Sequence, residues 1–168
     1  MGIAEARGGA RGPENVWGSA AVAALCAILA VYSPWDSSIF KLGFAASLAT
    51  KLSDTMASEI GKAYGKTTYL ITSMQLVPPG TEGAVSLEGT LAGVVGSAVL
   101  GLYALFMGLV SPLGLGLCLV AAAVATTAES VIGATVQGKY PWMTNEVVNF
   151  INTAIGAAVA MGGLVALR

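Results

Sequence analysis

Long apolar stretches, separated by short polar breaks, run through this chain from residue 16 almost to its end. A window of about twenty mostly apolar residues can cross a bilayer as a helix. Such windows cover residues 16–33, 39–60, 87–110, 113–136 and 146–167. Several of the breaks between them contain proline, which interrupts a helix. The pattern predicts an all-α, polytopic α-helical membrane protein with about five transmembrane helices, forming a single integral-membrane domain over residues 1–168.

The composition agrees with a lipid bilayer as the surroundings of the chain. Hydrophobic residues make up 55% of the sequence and charged residues only 10%, and the mean hydropathy is +0.76. These values lie outside the range of an ordinary soluble domain. The formal net charge is −1, and basic residues form no cluster away from one membrane face. We therefore expect no nucleic-acid partner.

Threading the five spans back and forth sorts the basic residues between the two faces of the membrane. One face receives Arg7, Arg11, Lys62, Lys66 and Lys139, and the other receives Lys41 and Arg168. The positive-inside rule identifies the first face as the cytosol-like or stroma-like one.

The second predicted span ends in a group of charged residues. Lys51, Asp54, Glu59 and Lys62 fall within twelve residues of one another. An ionised side chain near the centre of a membrane helix costs about 2.5 to 3.5 kcal/mol, so embedded charges usually pair inside a bundle and mark a working site. An ion pair between Lys51 and Asp54 that only locks helices together is the alternative. It leaves Glu59 and Lys62 without an explanation.

Polar residues of three spans recur at helical spacing and all fall on the basic side of the membrane. The three stripes are Ser47, Lys51, Asp54, Ser58 and Lys62 in the second span, Thr126, Ser130, Gly133 and Gln137 in the fourth, and Asn145, Asn149 and Asn152 in the fifth. Stripes of this kind can face one another across a bundle. We predict a polar crevice that includes Lys51, Ser58, Glu129, Asn149 and Asn152. For the Asn, Ser and Thr residues, hydrogen bonding between packed helices is the alternative.

The long connection at residues 61–86 is rich in glycine and reaches the basic face. Glycine lets a backbone turn tightly and aim N–H groups at an anion, and lysine adds positive charge, so Lys62 and Lys66 are candidate phosphate contacts. The run Gly61-x-x-x-Gly65-Lys66-Thr67 is not a P-loop, because only three residues separate the glycines and a membrane helix precedes them. The lysines could otherwise serve only as positive-inside anchors.

Phosphoryl transfer between anionic partners usually needs a divalent cation held by one or two carboxylates. The chain offers Asp54, Glu59, Glu82, Glu88 and Glu129 on the basic side. Acids and lysines together predict phosphoryl or nucleotidyl transfer to a substrate dissolved in the membrane. An ion-coupled or lipid-related membrane transporter is the alternative, because it would use similar residues, although it has no need of a glycine-rich loop. A structural membrane subunit without chemistry is a third possibility.

Two motifs carry a resemblance to a known family. They are Ser-Asp-Thr-Met-Ala-Ser-Glu-Ile-Gly-Lys at residues 53–62 and Gly-Thr-Glu-Gly-Ala-Val-Ser-Leu-Glu-Gly-Thr at residues 80–90. Together with the segment at residues 8–15, they make the chain similar to the membrane family that contains the phytyl phosphate kinases of the plant tocopherol pathway and animal transmembrane protein 19. The resemblance is to the plant and algal branch and covers essentially the whole chain.

The resemblance implies a kinase that converts phytyl monophosphate to phytyl diphosphate for tocopherol (vitamin E) and phylloquinone synthesis. It implies CTP or another nucleoside triphosphate as co-substrate, Mg²⁺, and the chloroplast (plastid envelope) membrane as the location. It further implies that Asp54 and Glu59 are metal or catalytic carboxylates and that Lys62 and Lys66 contact phosphate. The residues that would face the nucleotide are Gly80, Thr81, Glu82, Gly83, Ser86, Glu88, Gly89 and Thr90. Family members usually begin with additional membrane segments, so we expect this chain to lack an N-terminal part.

Overall fold

The computed structural model describes residues 12–168, and five α-helices account for most of them. The helices are α1 (Pro13–Tyr32), α2 (Ser37–Tyr64), α3 (Leu87–Phe106), α4 (Pro112–Thr135) and α5 (Asn145–Ala166). Two short strands, β1 (Thr68–Leu70) and β2 (Ala84–Ser86), lie between α2 and α3.

The second helix stands at the centre of the bundle and packs against each of the other four. Around it, α1 packs against α5, α5 against α4, and α4 against α3. The buried core along α2 is built largely from small side chains, which include Ala45, Ala46 and Ala49. Small residues allow the helix axes to come close, as helices in membranes require, because lipid provides no hydrophobic drive for their association. The most polar of the five helices is therefore enclosed by the other four.

Four helices in the described part of the chain, α1, α3, α4 and α5, are long and apolar enough to cross a membrane. Charged residues keep α2 outside this group, but its 28 residues span about 42 Å at 1.5 Å per residue, more than the ~30 Å hydrocarbon core. The prediction of an all-α, polytopic membrane protein is confirmed. The α2 helix tolerates Lys51 and Asp54 because neighbouring helices, and not lipid, enclose them and because the two side chains form an ion pair.

Local sequence determines where the helices begin and end. Polar N-caps accept hydrogen bonds from backbone N–H groups of the first turn at Asp36 for α2, Ser86 for α3 and Ser111 for α4. Proline follows Ser111 at the first position of α4, where its missing N–H costs nothing. The predicted spans agree with the observed helices to within about three residues at most ends. The exceptions are α2, which continues four residues beyond its predicted end to Tyr64, and α3, which ends four residues before its predicted end at Phe106.

The connection at residues 61–86 differs from the loop that we predicted. Its first residues, including Gly61 and Lys62, belong to the last turn of α2. Further on, β1 and β2 pair as an antiparallel ladder in which Tyr69 is opposite Val85. The sequence prediction missed this hairpin because three-residue strands show too little alternation of apolar and polar positions to be recognised. The hairpin holds the glycine-rich segment between its strands against the end of the bundle.

Close approach of α2 and α3 explains several glycines. A Cβ atom at Gly89 would lie 2.6 Å from the backbone oxygen of Ala57, and one at Gly93 would lie 3.0 Å from Oγ of Ser53. A Cβ at Gly96 would lie 2.8 Å from Sδ of Met56. These three glycines are therefore positions of close helix packing.

Candidate functional site

A cavity of about 630 Å³ opens at the end of the bundle that the sequence predicts to be the basic side. Its walls come from the start of α1, the last turns of α2, the hairpin, the first turn of α3, the later part of α4 and the first turn of α5. The predicted site residues that line it are Lys51, Asp54, Ser58, Lys62, Gly80, Thr81, Glu82, Gly83, Ser86, Gly89, Thr90, Glu129 and Asn149. The structure brings these residues together around one cavity at one end of the bundle.

Lys51 holds two polar side chains at the floor of the cavity. Its Nζ atom donates hydrogen bonds of 2.7 Å to Oδ2 of Asp54 and 2.7 Å to Oδ1 of Asn149. The side chains of Lys51 and Asp54 are only 15% and 17% exposed. The predicted ion pair of Lys51 and Asp54 thus exists. It also joins α2 to α5 and leaves one face of Asp54 toward the cavity.

Glu129 of α4 brings a second carboxyl group to Asp54. The two carboxyl groups are within hydrogen-bonding reach of each other, and Lys51 and Glu82 also act electrostatically on Glu129. The Oε2 atom of Glu129 is buried and has no hydrogen-bond donor among the described residues. Two ionised carboxylates can only accept hydrogen bonds, so a shared proton, a shared cation or a donor from a ligand or water would satisfy the pair.

The helical stripes predicted for α4 and α5 face the cavity as expected. Thr126, Ser130, Gly133 and Gln137 of α4 all line it, as do Asn145 and Asn149 of α5. Hydrogen bonding between helices does not explain the hydroxyl groups. Oγ of Ser58 donates to the backbone oxygen of Thr55, and Oγ of Ser130 donates to that of Thr126, each within its own helix.

Four residues of the predicted site do not line the cavity. Glu59 lies five positions after Asp54, which turns it about 140° around the helix. Its side chain is 55% exposed, and its Oε1 lies 3.9 Å from Nζ of Lys62. Lys66 is exposed in the turn after α2, and Glu88 lies on the first turn of α3 away from the cavity. Asn152 is 1% exposed, one turn deeper in the bundle than Asn149.

Glu59 is therefore not positioned to share a ligand with Asp54, and the structure places Glu129 there instead. The sequence pointed to Glu59 because it is close in the chain and lies in the same motif. Helical geometry separates the two side chains, whereas packing of α4 against α2 brings Glu129 close. The sequence had placed Glu129 among the carboxylates of the basic side and in the polar crevice, but it gave no reason to pair Glu129 with Asp54.

The glycine-rich segment was expected to aim backbone N–H groups at a phosphate, and three of these groups are already engaged. The N–H of Thr81 donates to the backbone oxygen of Pro78, and that of Ala84 donates to the oxygen of Thr81. The N–H of Gly89 donates to Oγ of Ser86 at 3.1 Å. These amides stabilise the turn and the start of α3. These three amides are therefore not free to contact an anion.

Gly83 has a structural role that the sequence did not reveal. Its φ angle of +76° lies in the left-handed region, and a Cβ atom there would lie 2.5 Å from the backbone oxygen of Ser130 and from Cβ of Ala134. A Cβ atom on Gly133 of α4 would in turn lie 2.9 Å from the backbone nitrogen of Gly83. Only glycine at residue 83 lets the hairpin segment rest on α4 and close one wall of the cavity.

The charges of the cavity indicate what could bind there. Among the described residues, four carboxyl side chains line it, those of Asp54, Glu82, Glu129 and Glu146, against two lysines, Lys51 and Lys62. An anionic ligand alone would meet an excess of negative charge, whereas an anion that arrives with a divalent cation would complement it. In the described part of the chain, no group of three or more His, Cys, Asp or Glu side chains could hold a metal ion. Asp54 and Glu129 fit Mg²⁺, which is commonly held by one or two carboxylates with water and substrate phosphate completing its shell.

The cavity also includes residues that the sequence did not assign to the site. Asn15 of α1 lines it because α1 approaches α5 closely, so that a Cβ atom on Gly18 would lie 2.5 Å from the backbone oxygen of Glu146. Arg7 and Arg11, which were predicted to lie on the basic side, fall outside the described residues. The same holds for residues 8–11 of the N-terminal motif.

The fold and the site together define the class of this protein: it is a polytopic membrane protein with a charged cavity at one end of its helical bundle. The chain belongs to the family described as integral membrane protein DUF92, which matches residues 1–157. No solved structure matches the chain.

Three relatives are similar over almost the whole chain. An uncharacterized membrane protein of Synechocystis is 59% identical over 96% of this chain and 63% of its own length. Protein VTE6, chloroplastic, of Arabidopsis thaliana is 49% identical over 96% of this chain and 50% of its own length. An uncharacterized membrane protein of Methanocaldococcus jannaschii is 34% identical over 90% of this chain and 61% of its own length. The chain thus spans between half and about two thirds of the length of each relative. Because these relatives come from such different organisms, assignment to the plant and algal branch stays a prediction.

Proposed function

We propose that this chain forms the membrane-embedded site of a kinase that transfers a phosphoryl group from a nucleoside triphosphate, with CTP as the first candidate, to phytyl monophosphate. The product would be phytyl diphosphate for tocopherol and phylloquinone synthesis. The observation that carries the proposal is the charged cavity at the membrane face, in which the carboxyl groups of Asp54 and Glu129 meet beside Lys51. The motif resemblance supplies the substrate, and the Arabidopsis relative, which is 49% identical to this chain, is named chloroplastic.

The proposed transfer requires few chemical groups from the protein, and it requires no general base. An oxygen of the acceptor phosphate attacks the terminal phosphorus of the nucleotide, the bond from that phosphorus to the bridging oxygen breaks, and the nucleoside diphosphate leaves. The second pKa of a phosphate monoester is about 6, so the attacking oxygen is largely ionised at neutral pH and needs no general base. A chain without histidine can therefore catalyse this step. Catalysis depends on positioning and on neutralising charge.

Asp54 and Glu129 would hold Mg²⁺. When bound, the ion neutralises charge on the phosphate oxygens. Lys51 keeps Asp54 in place through its hydrogen bond and is itself oriented by Asn149. Lys62 lines the rim of the cavity, where it can meet a phosphate that enters from the interface. The N-termini of α3 and α5 also open toward the cavity, and the positive end of each helix dipole favours an anion there.

We also propose the plastid envelope as the membrane that holds the protein in a plastid-bearing cell. The support is the resemblance of the two motifs and the name of the Arabidopsis relative, which is chloroplastic. A fluorescent fusion of the full-length protein in plant cells should outline the plastid envelope, and labelling confined to the endoplasmic reticulum would contradict this location.

The kinase proposal is tested with purified full-length protein in detergent or nanodiscs, given phytyl phosphate, Mg²⁺ and each of CTP, ATP, GTP and UTP. We expect diphosphate product, measured by mass spectrometry, with at least one nucleotide, and none after chelation of Mg²⁺ or with Asp54→Asn. The absence of product with all four nucleotides would contradict the proposal. A transporter would instead move its substrate across liposomes without nucleotide.

A further inference from the structure

A second, smaller cavity of about 280 Å³ lies beside the polar one, between α2, α3 and α4 and beneath the hairpin. Its walls are mainly apolar and include Ile71, Val85, Val94, Leu119 and Ala123. We call it the α3–α4 groove. Its residues on α3 run from Thr90 to Ser97, a distance of about 10 Å at 1.5 Å per residue. The groove therefore extends from the level of the polar cavity into the hydrocarbon depth of the membrane.

The groove and the polar cavity are adjacent and share part of their walls. Ala57, Val85, Thr90, Thr126 and Ser130 line both of them. The three hydroxyl groups at this junction already donate to backbone oxygens of their own segments, at 2.9 Å for Thr90, 2.8 Å for Thr126 and 3.0 Å for Ser130. The junction thus presents few polar hydrogens that lack an acceptor. A hydrocarbon chain can therefore lie across this junction without leaving a buried hydrogen-bond donor unsatisfied.

The groove also opens sideways toward lipid. Val94 of α3 is 52% exposed, and Ala123 of α4 is exposed at the other edge. Both helices are apolar enough to cross a membrane, and neighbouring exposed residues such as Val95 and Val120 are apolar. An amphiphile in the bilayer can therefore reach the groove laterally, without leaving the membrane.

We propose that the α3–α4 groove holds the part of a long isoprenoid tail nearest to the phosphate, while that phosphate lies in the polar cavity. The proposal rests on the proposed function and names the part of the site that recognises the acceptor. Its volume is near the lower end of small-molecule pockets, about 300 Å³. The groove can hold the head-proximal part of the tail, and the remainder stays in lipid. The part of the tail that extends beyond the groove contributes little to the selection of the acceptor. An acceptor whose tail is too short to fill the groove binds weakly.

A binding experiment tests the groove without requiring any turnover. Full-length protein in nanodiscs is irradiated with a C20 isoprenoid monophosphate that carries a diazirine close to its phosphate end, and labelled peptides are mapped by mass spectrometry. We expect label on residues 90–97 of α3 and residues 119–127 of α4, and we expect excess unlabelled phytyl phosphate to remove it. Competed label on α1 or on the outer face of α5, or label that no competitor removes, overturns the proposal.

A substitution that fills the groove provides the second test. Ala123→Phe places a large side chain at the groove edge, and Val124→Phe places the same side chain on the adjacent, exposed position of α4, which does not line the groove. We expect Ala123→Phe to lower competed labelling at least tenfold and Val124→Phe to leave it unchanged. Equal labelling of the two variants overturns the proposal.

The two proposals can fail separately. If no nucleotide gives product but competed label still maps to the groove, the kinase proposal fails and the groove remains a binding site for an isoprenoid phosphate. If product forms but the label lies elsewhere, the kinase proposal stands and the groove assignment is wrong. In an active protein, Ala123→Phe should also lower the ratio of activity on phytyl phosphate to activity on isopentenyl phosphate at least tenfold.

Discussion

Lys51 and Asn149 connect the central helix to α5 through a hydrogen bond of 2.7 Å from Nζ to Oδ1. A lysine ammonium group can only donate, so the atom of Asn149 that faces it must be the amide oxygen. The Nδ2 atom of Asn149 is consequently turned the other way, and it is buried without an acceptor among the described residues. Asn149 contributes to the wall of the cavity, so this buried donor lies next to the site.

The first prediction concerns this connection. Asn149→Ala removes an acceptor from a charged donor that is only 15% exposed. We expect the free energy of unfolding to fall by about 1.5 to 3 kcal/mol, the range for hydrogen bonds to charged groups. Thermal unfolding in detergent, followed by tryptophan fluorescence, measures the change.

Asn145→Ala is the matched control for this prediction. Asn145 lines the same cavity one turn earlier on α5 but is exposed. An exposed substitution of this kind usually changes stability by less than about 0.5 kcal/mol. Equal unfolding temperatures for the two variants would show that the connection between Lys51 and Asn149 contributes nothing.

The second prediction tests which carboxylate acts together with Asp54. The structure assigns this role to Glu129, whereas the sequence motif assigned it to Glu59. Glu129→Gln removes a carboxylate that faces Asp54, whereas Glu59→Gln removes one that lies outside the cavity. We expect Glu129→Gln to lower phosphoryl transfer by about 100-fold or more and Glu59→Gln to remain within a few-fold of the unmodified protein.

Metal binding gives this second prediction a readout that is independent of turnover. Mn²⁺ binding in the presence of nucleotide, followed by electron paramagnetic resonance, should weaken in Glu129→Gln and persist in Glu59→Gln. The reverse order in both measurements would restore Glu59 as the partner of Asp54.

The third prediction concerns the glycines of the hairpin segment. Gly80 and Gly83 both have positive φ angles, +87° and +76°. A Cβ atom at Gly80 meets nothing within 4 Å, whereas one at Gly83 collides with the backbone of α4. We expect Gly80→Ala to cost about 1 to 2 kcal/mol, the left-handed penalty alone, and Gly83→Ala to cost clearly more.

Hydrogen exchange measured by mass spectrometry should localise this third effect. Protection of the hairpin at residues 68–86 should fall in Gly83→Ala and change less in Gly80→Ala. If the two variants behave alike, contact with α4 does not hold the hairpin in place.

The fourth prediction concerns pH and the opposite end of the bundle. The backbone N–H of Ser38 and the guanidinium of Arg168 lower the pKa of Asp36 from 3.8 to about 2. Because the pKa is lower in the folded state, the stabilising contribution is complete above the unfolded pKa of 3.8. It is lost as the pH falls through that value toward the folded pKa.

Asp36→Asn tests this contribution, because Asn also caps helices well and only the ionic contact with Arg168 is removed. The unfolding temperature of the unmodified protein should exceed that of Asp36→Asn at about pH 6, and the difference should shrink below about pH 4. A difference that stays constant over this range would exclude ionisation of Asp36 as its cause.

The sequence by itself determined the membrane architecture and the end of the bundle at which the polar residues meet. Apolar runs long enough to cross a bilayer predict helices, because a backbone in lipid must satisfy its own hydrogen bonds. The order of the spans then places residues such as Asp54, Glu129 and Asn149 on one side, whatever the packing. Helical spacing also identified the face of α4 that includes Thr126 and Ser130, since periodicity is a local property.

Only the tertiary structure decided which of these residues touch. Glu59 and Glu129 were both candidates to join Asp54, and the choice depends on the rotation of α2 and on how α4 packs against it. The hairpin and the close contact of Gly83 with α4 were also invisible, because they depend on residues far apart in the chain. A sequence pattern records which face of each helix is polar, but the distance between two faces arises from packing of the whole bundle.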